Sequence, residues 1–143
     1  MTLPDDLREA LDDLTQALAA MGSGDPGPYA ALWADDGDVT LFGAWGPIER
    51  GFAPVTRTFD WVASRFSHGA LVPRHEVIGH SGDLAYTVGF ERGYVSVDGS
   101  DTFDMTLRVT HILRRVGGTW RIVHRHADFP PTDQRHTSPA GHP

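Results

Sequence analysis

Three histidines and one aspartate, His111, His124, His126 and Asp128, lie close together near the end of the chain, in segments that alternate polar and apolar residues. Imidazole changes charge near neutral pH, and a neighbouring carboxylate can orient it, so this grouping suits general acid–base work. An alternating His-x-His pair on a strand could also ligate zinc with His111 as third ligand, but no helix-borne acid stands at a diagnostic spacing. We therefore expect neither a metal nor a cofactor, with His111 or His126 as the proton-moving group and Asp128 as its orienter. Around them, Tyr29, Trp33, Trp45, Phe59, Tyr86, Val88 and Phe90 offer an apolar wall, Tyr86 a hydroxyl for a substrate oxygen, and His124 a further polar contact.

These groups meet only if the elements carrying them are correctly paired. From Leu71 onward the pattern has period two, which predicts strands over 71–78, 84–95, 102–115 and 119–129. Asp98-Gly99 and Gly117-Gly118 are dipeptides that two-residue hairpins prefer, because they accept positive φ. Turns centred there set Phe90 opposite Leu107, Val88 opposite Val109, and Tyr86 and His124 opposite His111. One face then collects Tyr86, Val88, Phe90, Met105, Leu107, Val109, His111, Leu113, Trp120, Ile122, His124, His126 and Asp128. The other carries Thr87, Glu91, Thr106, Arg108, Thr110, Arg114, Arg121 and Arg125, with Glu91 and Arg108 as a solvated or inter-subunit ion pair. A β-bulge in either strand would exchange the faces beyond it.

Ahead of the strands, Leu3, Leu7, Leu11, Leu14, Leu18 and Met21 recur at steps of three and four, the stripe of an amphipathic helix ended by Gly22-Ser23-Gly24. Asp25 caps a second, short helix, with Pro26 at its start and Tyr29, Leu32 and Trp33 on its apolar face. A short strand at 39–42 and a Gly43–Pro47 turn that displays Trp45 follow, then a helix over 54–66 with Val55, Phe59, Val62 and Phe66 on one side. Asp35-Asp36-Gly37-Asp38 lacks the spaced glycine and closing glutamate of a calcium loop and reads as a turn. The residues from 130 to 143 have no periodicity and read as a loose tail.

A chain of 143 residues with 40% hydrophobic and 22% charged residues is expected to form one domain, over 1–129. It contains no cysteine, so disulfides, thiolate metal sites and cysteine nucleophiles are excluded. Twelve arginines and no lysine stand against nineteen acids, a net charge of -7 that argues against nucleic-acid binding and against an anionic membrane surface. No apolar run approaches a membrane span and the N-terminus has no signal-like apolar stretch, so a cytoplasmic location is expected.

Helices first and an antiparallel meander after is an α+β order, and helices over one face of such a sheet leave a cone with a pocket inside. The segments GDPGPYAALWADDGDVTLFG, DLAYTVGFERG and LRVTHILRRVGGTWRIVHRHAD resemble the SnoaL-like branch of the nuclear transport factor 2-like (cystatin-like α+β) superfamily, over about residues 5–129. The closing hairpin, 115–126, is also similar to the hub domain of calcium/calmodulin-dependent protein kinase II, where positions matching Val88 and His111 contribute to a polar pocket. The resemblance implies a homodimer and a cone-shaped pocket for a small, mostly apolar metabolite, and leaves the activity open. In the ketosteroid isomerases of this superfamily the first-strand aspartate falls where this chain has Leu41, and the helix-one tyrosine near Ala17, so that activity is disfavoured. Scytalone dehydratase uses histidines and an aspartate in a similar cone, which His111, His126 and Asp128 could supply.

Three functions follow as expectations. The leading one is a cofactor-free isomerase, dehydratase or cyclase working by proton transfer. The others are a non-catalytic ligand-binding protein, and a homo-oligomeric scaffold using Arg108, Arg121 and Arg125 with Glu91 and Asp104.

Overall fold

The computed structural model describes residues 2–131. The chain runs helix α1 (Asp5–Gly22), a single-turn helix α2 (Gly27–Ala30), strands β1 (Thr40–Phe42) and β2 (Ile48–Arg50), helix α3 (Phe52–Arg65), and strands β3 (Phe66–His68), β4 (Val72–Ser81), β5 (Leu84–Val97), β6 (Phe103–Val116) and β7 (Thr119–Asp128). The sheet order is β2-β1-β7-β6-β5-β3, with β4 also paired to β5; β1 pairs β7 in parallel, the other strand pairings among the described residues are antiparallel, and an isolated parallel bridge joins Trp33 to Ile122. This is the expected α+β architecture: a strongly curled sheet whose inner face is closed by the helices.

The helical stripe explains the closure. Leu7, Leu11, Leu14, Leu18 and Met21 are all buried along α1, which lies against α2, β4 and β7. Each such side chain taken out of water contributes about 1.5–3 kcal/mol before entropy is counted. Asp25 holds the entry of α2 by accepting the Gly27 N–H at 3.0 Å. Asp36 accepts the Asp38 N–H and pairs with Arg114, so the acidic run is a turn tied to the sheet. Strands β2 and β3 escaped the sequence reading because three residues are too few to display a period. Of the expected tail, residues 132–143 lie outside the described residues.

Two local irregularities overturn the expected faces. The turn at Asp98-Gly99 forms, with φ of 53° and 75°. Its return strand is displaced by one residue, however, so Val95 pairs with Phe103, Val88 with Thr110 and Thr87 with His111. Because side chains alternate, that single slip reverses all of β5. Ala85, Thr87 and Glu91 are buried, whereas Tyr86 and Val88 are 46% and 41% exposed and Phe90, beside Arg108, shares their outer face. On β7 the Gly117-Gly118 hairpin keeps the expected register as far as Leu113↔Ile122. Ile112 then pairs with His124, which makes Val123 a bulge. Beyond it Arg125 and Ala127 point inward, and His124, His126 and Asp128 point outward.

Candidate functional site

Three polar side chains on the inner face of the sheet interlock with a fourth, Tyr29 of α2. Glu91 of β5 and Arg125 of β7 form two hydrogen bonds, Arg125 Nη1 to Oε2 at 2.6 Å and Nη2 to Oε1 at 2.8 Å, with side chains 1% and 10% exposed. A buried pair tolerates its desolvation only with such two-pronged geometry. The Arg125 guanidinium carbon stands 5.8 Å over the Tyr29 ring, and Nη1 lies 3.4 Å from His111 Nε2. The Tyr29 hydroxyl completes the chain at 2.6 Å from the same His111 nitrogen. Tyr29 is fixed from behind by edge contacts to Phe59 at 4.8 Å and Trp33 at 6.1 Å between ring centres.

Burial sets the protonation states. It pushes the Tyr29 phenol well above its ordinary value; Arg125 opposes this and Glu91 reinforces it, so the hydroxyl keeps its proton. Burial, joined by the charge of Arg125 and by His75 and His124, holds His111 well below the usual imidazole range, so it is neutral. For Arg125 burial works against the charge, but Glu91 and Tyr29 outweigh it and the guanidinium stays ionised. A guanidinium can only donate, so its approach to Nε2 assigns the ring lone pair to that nitrogen and the ring proton to Nδ1. Tyr29 therefore donates its hydroxyl proton to His111.

Next to this network is a cavity of about 60 Å³ that opens to solvent. Phe59, Phe66, Met105, Leu107 and Phe129 make most of the wall, and Trp45 from the 43–47 turn adds an indole steadied by Arg65, whose guanidinium carbon is 4.0 Å from the ring centre. Tyr29, Arg125 and Thr58 bring a phenol, a guanidinium and an alcohol to the cavity surface. The Thr58 hydroxyl is engaged, donating to Glu49 at 2.7 Å. Leu41 also lines the cavity, so the first-strand position given to the aspartate in ketosteroid isomerases is apolar here.

The predicted site is therefore divided. Tyr29, Phe59 and Trp45 line the cavity, Trp33 braces Tyr29 and Phe59, and His111 lies behind Tyr29. His126 and Asp128 do not join His111: they are on the outer face, where Asp128 accepts two hydrogen bonds from Arg108 at 2.6 and 2.7 Å. His124 is there too, bonded through Nδ1 to the Thr40 hydroxyl at 2.7 Å, with Phe42 set edgewise against both outer histidines. Tyr86, Val88 and Phe90 leave the substrate wall for the same reason. Arg108 pairs with Asp128, and Glu91 turns inward to Arg125. The residues that sequence reasoning missed are Glu91 and Arg125. Their signal was two opposite charges on one strand face, but that face was read as outward. Among the described residues no three His, Asp or Glu side chains converge as a metal site.

Residues 10–132 match the SnoaL-like domain family. Solved structures share the fold at low identity. A candidate calcium/calmodulin-dependent protein kinase II association domain from Xanthomonas campestris is 21% identical, with a TM-score of 0.71 over 92% of this chain and 94% of that one. A candidate dehydratase of the NTF2-like family from Streptomyces avermitilis is 18% identical, with a TM-score of 0.70 over 90% and 96%. A cystatin-like protein from Nostoc punctiforme is 19% identical, with a TM-score of 0.69 over 92% and 97%. No curated protein matches the chain. The match over residues 10–132, with helices closing a curled sheet around a cavity, places this chain in the SnoaL-like domain family.

Proposed function

We propose that the cavity binds a small, mostly apolar molecule bearing one neutral oxygen function, a carbonyl or hydroxyl, and that the protein moves a proton on it. The observation that carries this reading is the double role of Tyr29, whose side chain both lines the cavity and bonds His111 at 2.6 Å. The apolar wall selects the body of the ligand. Glu91 already neutralises Arg125, so the floor offers donors without a net positive charge. That favours a polarised neutral oxygen over a carboxylate. In the reaction, a substrate C–H proton passes to the Tyr29 oxygen while the phenol proton passes to His111 Nε2. Arg125 N–H groups hold the negative charge that develops on the substrate oxygen. Return of the proton to another carbon gives isomerisation, and its return to a departing hydroxyl, which leaves as water, gives dehydration.

Binding without turnover is the second reading, favoured by a cavity wall to which no carboxylate or imidazole contributes among the described residues. Native mass spectrometry after incubation with a small-molecule cell extract tests the shared premise. The expected result is retention of one apolar, oxygen-bearing species by the wild type and its loss in Arg125→Met; a retained carboxylate would contradict the charge argument.

The outer sheet face supports a homodimer as a further part of this proposal. Phe42, Val77, Tyr86 and Val88 leave it with several large apolar side chains in water, more than a lone subunit ordinarily keeps together.

A further inference from the structure

His111 poses a problem that the cavity does not answer. A proton received at Nε2 would make an imidazolium with almost no access to water and with Arg125 at 3.4 Å. A histidine so placed can work without charging if it releases the Nδ1 proton as it gains one at Nε2. The two side-chain contacts of the ring, from Tyr29 and Arg125, both fall on Nε2.

Residues of β4, β5 and β6 line a second, small cavity at His111 that shares no lining residue with the ligand cavity. His75, Thr87, Glu91 and His111 bring polar atoms to it, and its size suits a single water molecule. Gly89 lies between Thr87 and Glu91 on the inner face, where any Cβ would run into the Arg74 carbonyl and His75 Cα. The glycine thus lets β4 cross close to the site. His75 has a buried Nε2 with no hydrogen-bond partner, although the residue as a whole is only partly buried on the outermost stretch of sheet.

We infer that a water molecule in this second cavity links His111 Nδ1 to His75 Nε2, and that His75 is the positioning residue through which the buried site exchanges protons with solvent. The inference rests on the proton-transfer reading above. The steps balance: Tyr29 gives a proton to His111 Nε2, His111 Nδ1 gives its proton to the water, and the water gives one to His75 Nε2. His75 releases its Nδ1 proton to bulk, and the same steps in reverse restore both rings: bulk water reprotonates His75 Nδ1, His75 Nε2 returns a proton through the water to His111 Nδ1, and His111 Nε2 gives its proton back to Tyr29. His111 remains neutral throughout, as its surroundings require. Thr87 and Glu91 hold the water. The charged and titratable groups facing His75 are Glu91 and His111 from the neighbouring strands, with Arg125 beyond them. Burial lowers the His75 imidazole below its ordinary value and Glu91 pulls it back up, which suits an uncharged relay at neutral pH.

Nitrogen-15 NMR of the full chain at neutral pH, without any ligand, tests the inference. The His111 ring proton is expected on Nδ1, with a magnetisation-transfer contact to water. Its exchange with solvent should slow roughly tenfold or more when His75→Phe fills the second cavity and leaves only local opening. Thr87→Val, which keeps the shape but removes a hydroxyl that holds the water, should slow it too and gives a second measure if His75→Phe fails to fold. Unchanged exchange in the folded variants, or a ring proton on Nε2, would overturn the relay. Since no substrate takes part, loss of the reaction at Tyr29 and loss of the relay are read separately.

Discussion

Glu91 and Arg125 are 34 residues apart in sequence and closer than 3 Å at both prongs of their ion pair, inside the core. Each is there because of a backbone irregularity, the displaced return of the 98–99 turn for Glu91 and the Val123 bulge for Arg125. Correcting either irregularity alone would bury one charge without the other.

Breaking the pair from one side should therefore be severe. Glu91→Gln leaves the guanidinium without a counter-charge and should destabilise the fold by about 3–5 kcal/mol. Glu91→Leu combined with Arg125→Met should regain much of that stability while losing the ligand. Urea unfolding of Glu91→Leu, Arg125→Met and the double variant, compared as a cycle, measures the coupling, with Glu91→Gln as the isosteric control.

Tyr29→Phe keeps the ring packed against Phe59 and removes only the hydroxyl. Loss of that hydrogen bond should cost about 1–2 kcal/mol of stability. Turnover should fall by about a hundredfold or more, because Arg125, which also faces the cavity and reaches His111, is a guanidinium that can donate but cannot take the substrate proton. His126→Ala and Asp128→Asn, on the opposite face, should leave turnover unchanged. Steady-state rates of the four proteins separate these outcomes.

Acid should unfold the protein through its buried imidazoles. His111 is held below its ordinary value, and so to a lesser degree are His75 and His124. The unfolded chain takes up these protons below about pH 6.5 while the folded chain does not, so the stabilisation present above that pH is lost as pH falls. His111 alone should contribute a slope of about 1.4 kcal/mol per pH unit below 6.5. Unfolding free energies of wild type and His111→Gln between pH 6.5 and 5 should differ by that slope, and parallel lines would contradict the protonation assignment.

On the outer face, Val88→Lys should convert a dimer to monomers by analytical ultracentrifugation without changing ligand retention. A wild type that sediments as a monomer would remove that part of the proposal.

The fold was legible in the sequence because it is written in long patterns: the α1 stripe, four alternating strands and two glycine turns. The inner wall built by Tyr29, Phe59, Met105, Leu107 and His111 was legible for the same reason. The polar centre was not, because it depends on two single-residue displacements that leave the alternation intact while changing which face it addresses. On β5 hydrophobicity also pointed the wrong way: Tyr86, Val88 and Phe90 look like core, yet they cover the outside while Thr87 and Glu91 go in. That inversion fits a sheet whose outer face is itself an interface. Positions 85–91 are where composition alone misleads and pairing has to be known.

The central claim is that Tyr29 moves protons on a molecule held in the apolar cavity. The most direct measurement is incubation of wild type and Tyr29→Phe, at low concentration, with a cell metabolite extract in heavy water, following every species by mass spectrometry. With wild type, one apolar, oxygen-bearing compound is expected to gain deuterium or be converted far beyond the molar amount of protein, and Tyr29→Phe should largely abolish this. A compound merely depleted mole for mole, with no deuterium gained, or equal turnover in Tyr29→Phe, would contradict that claim.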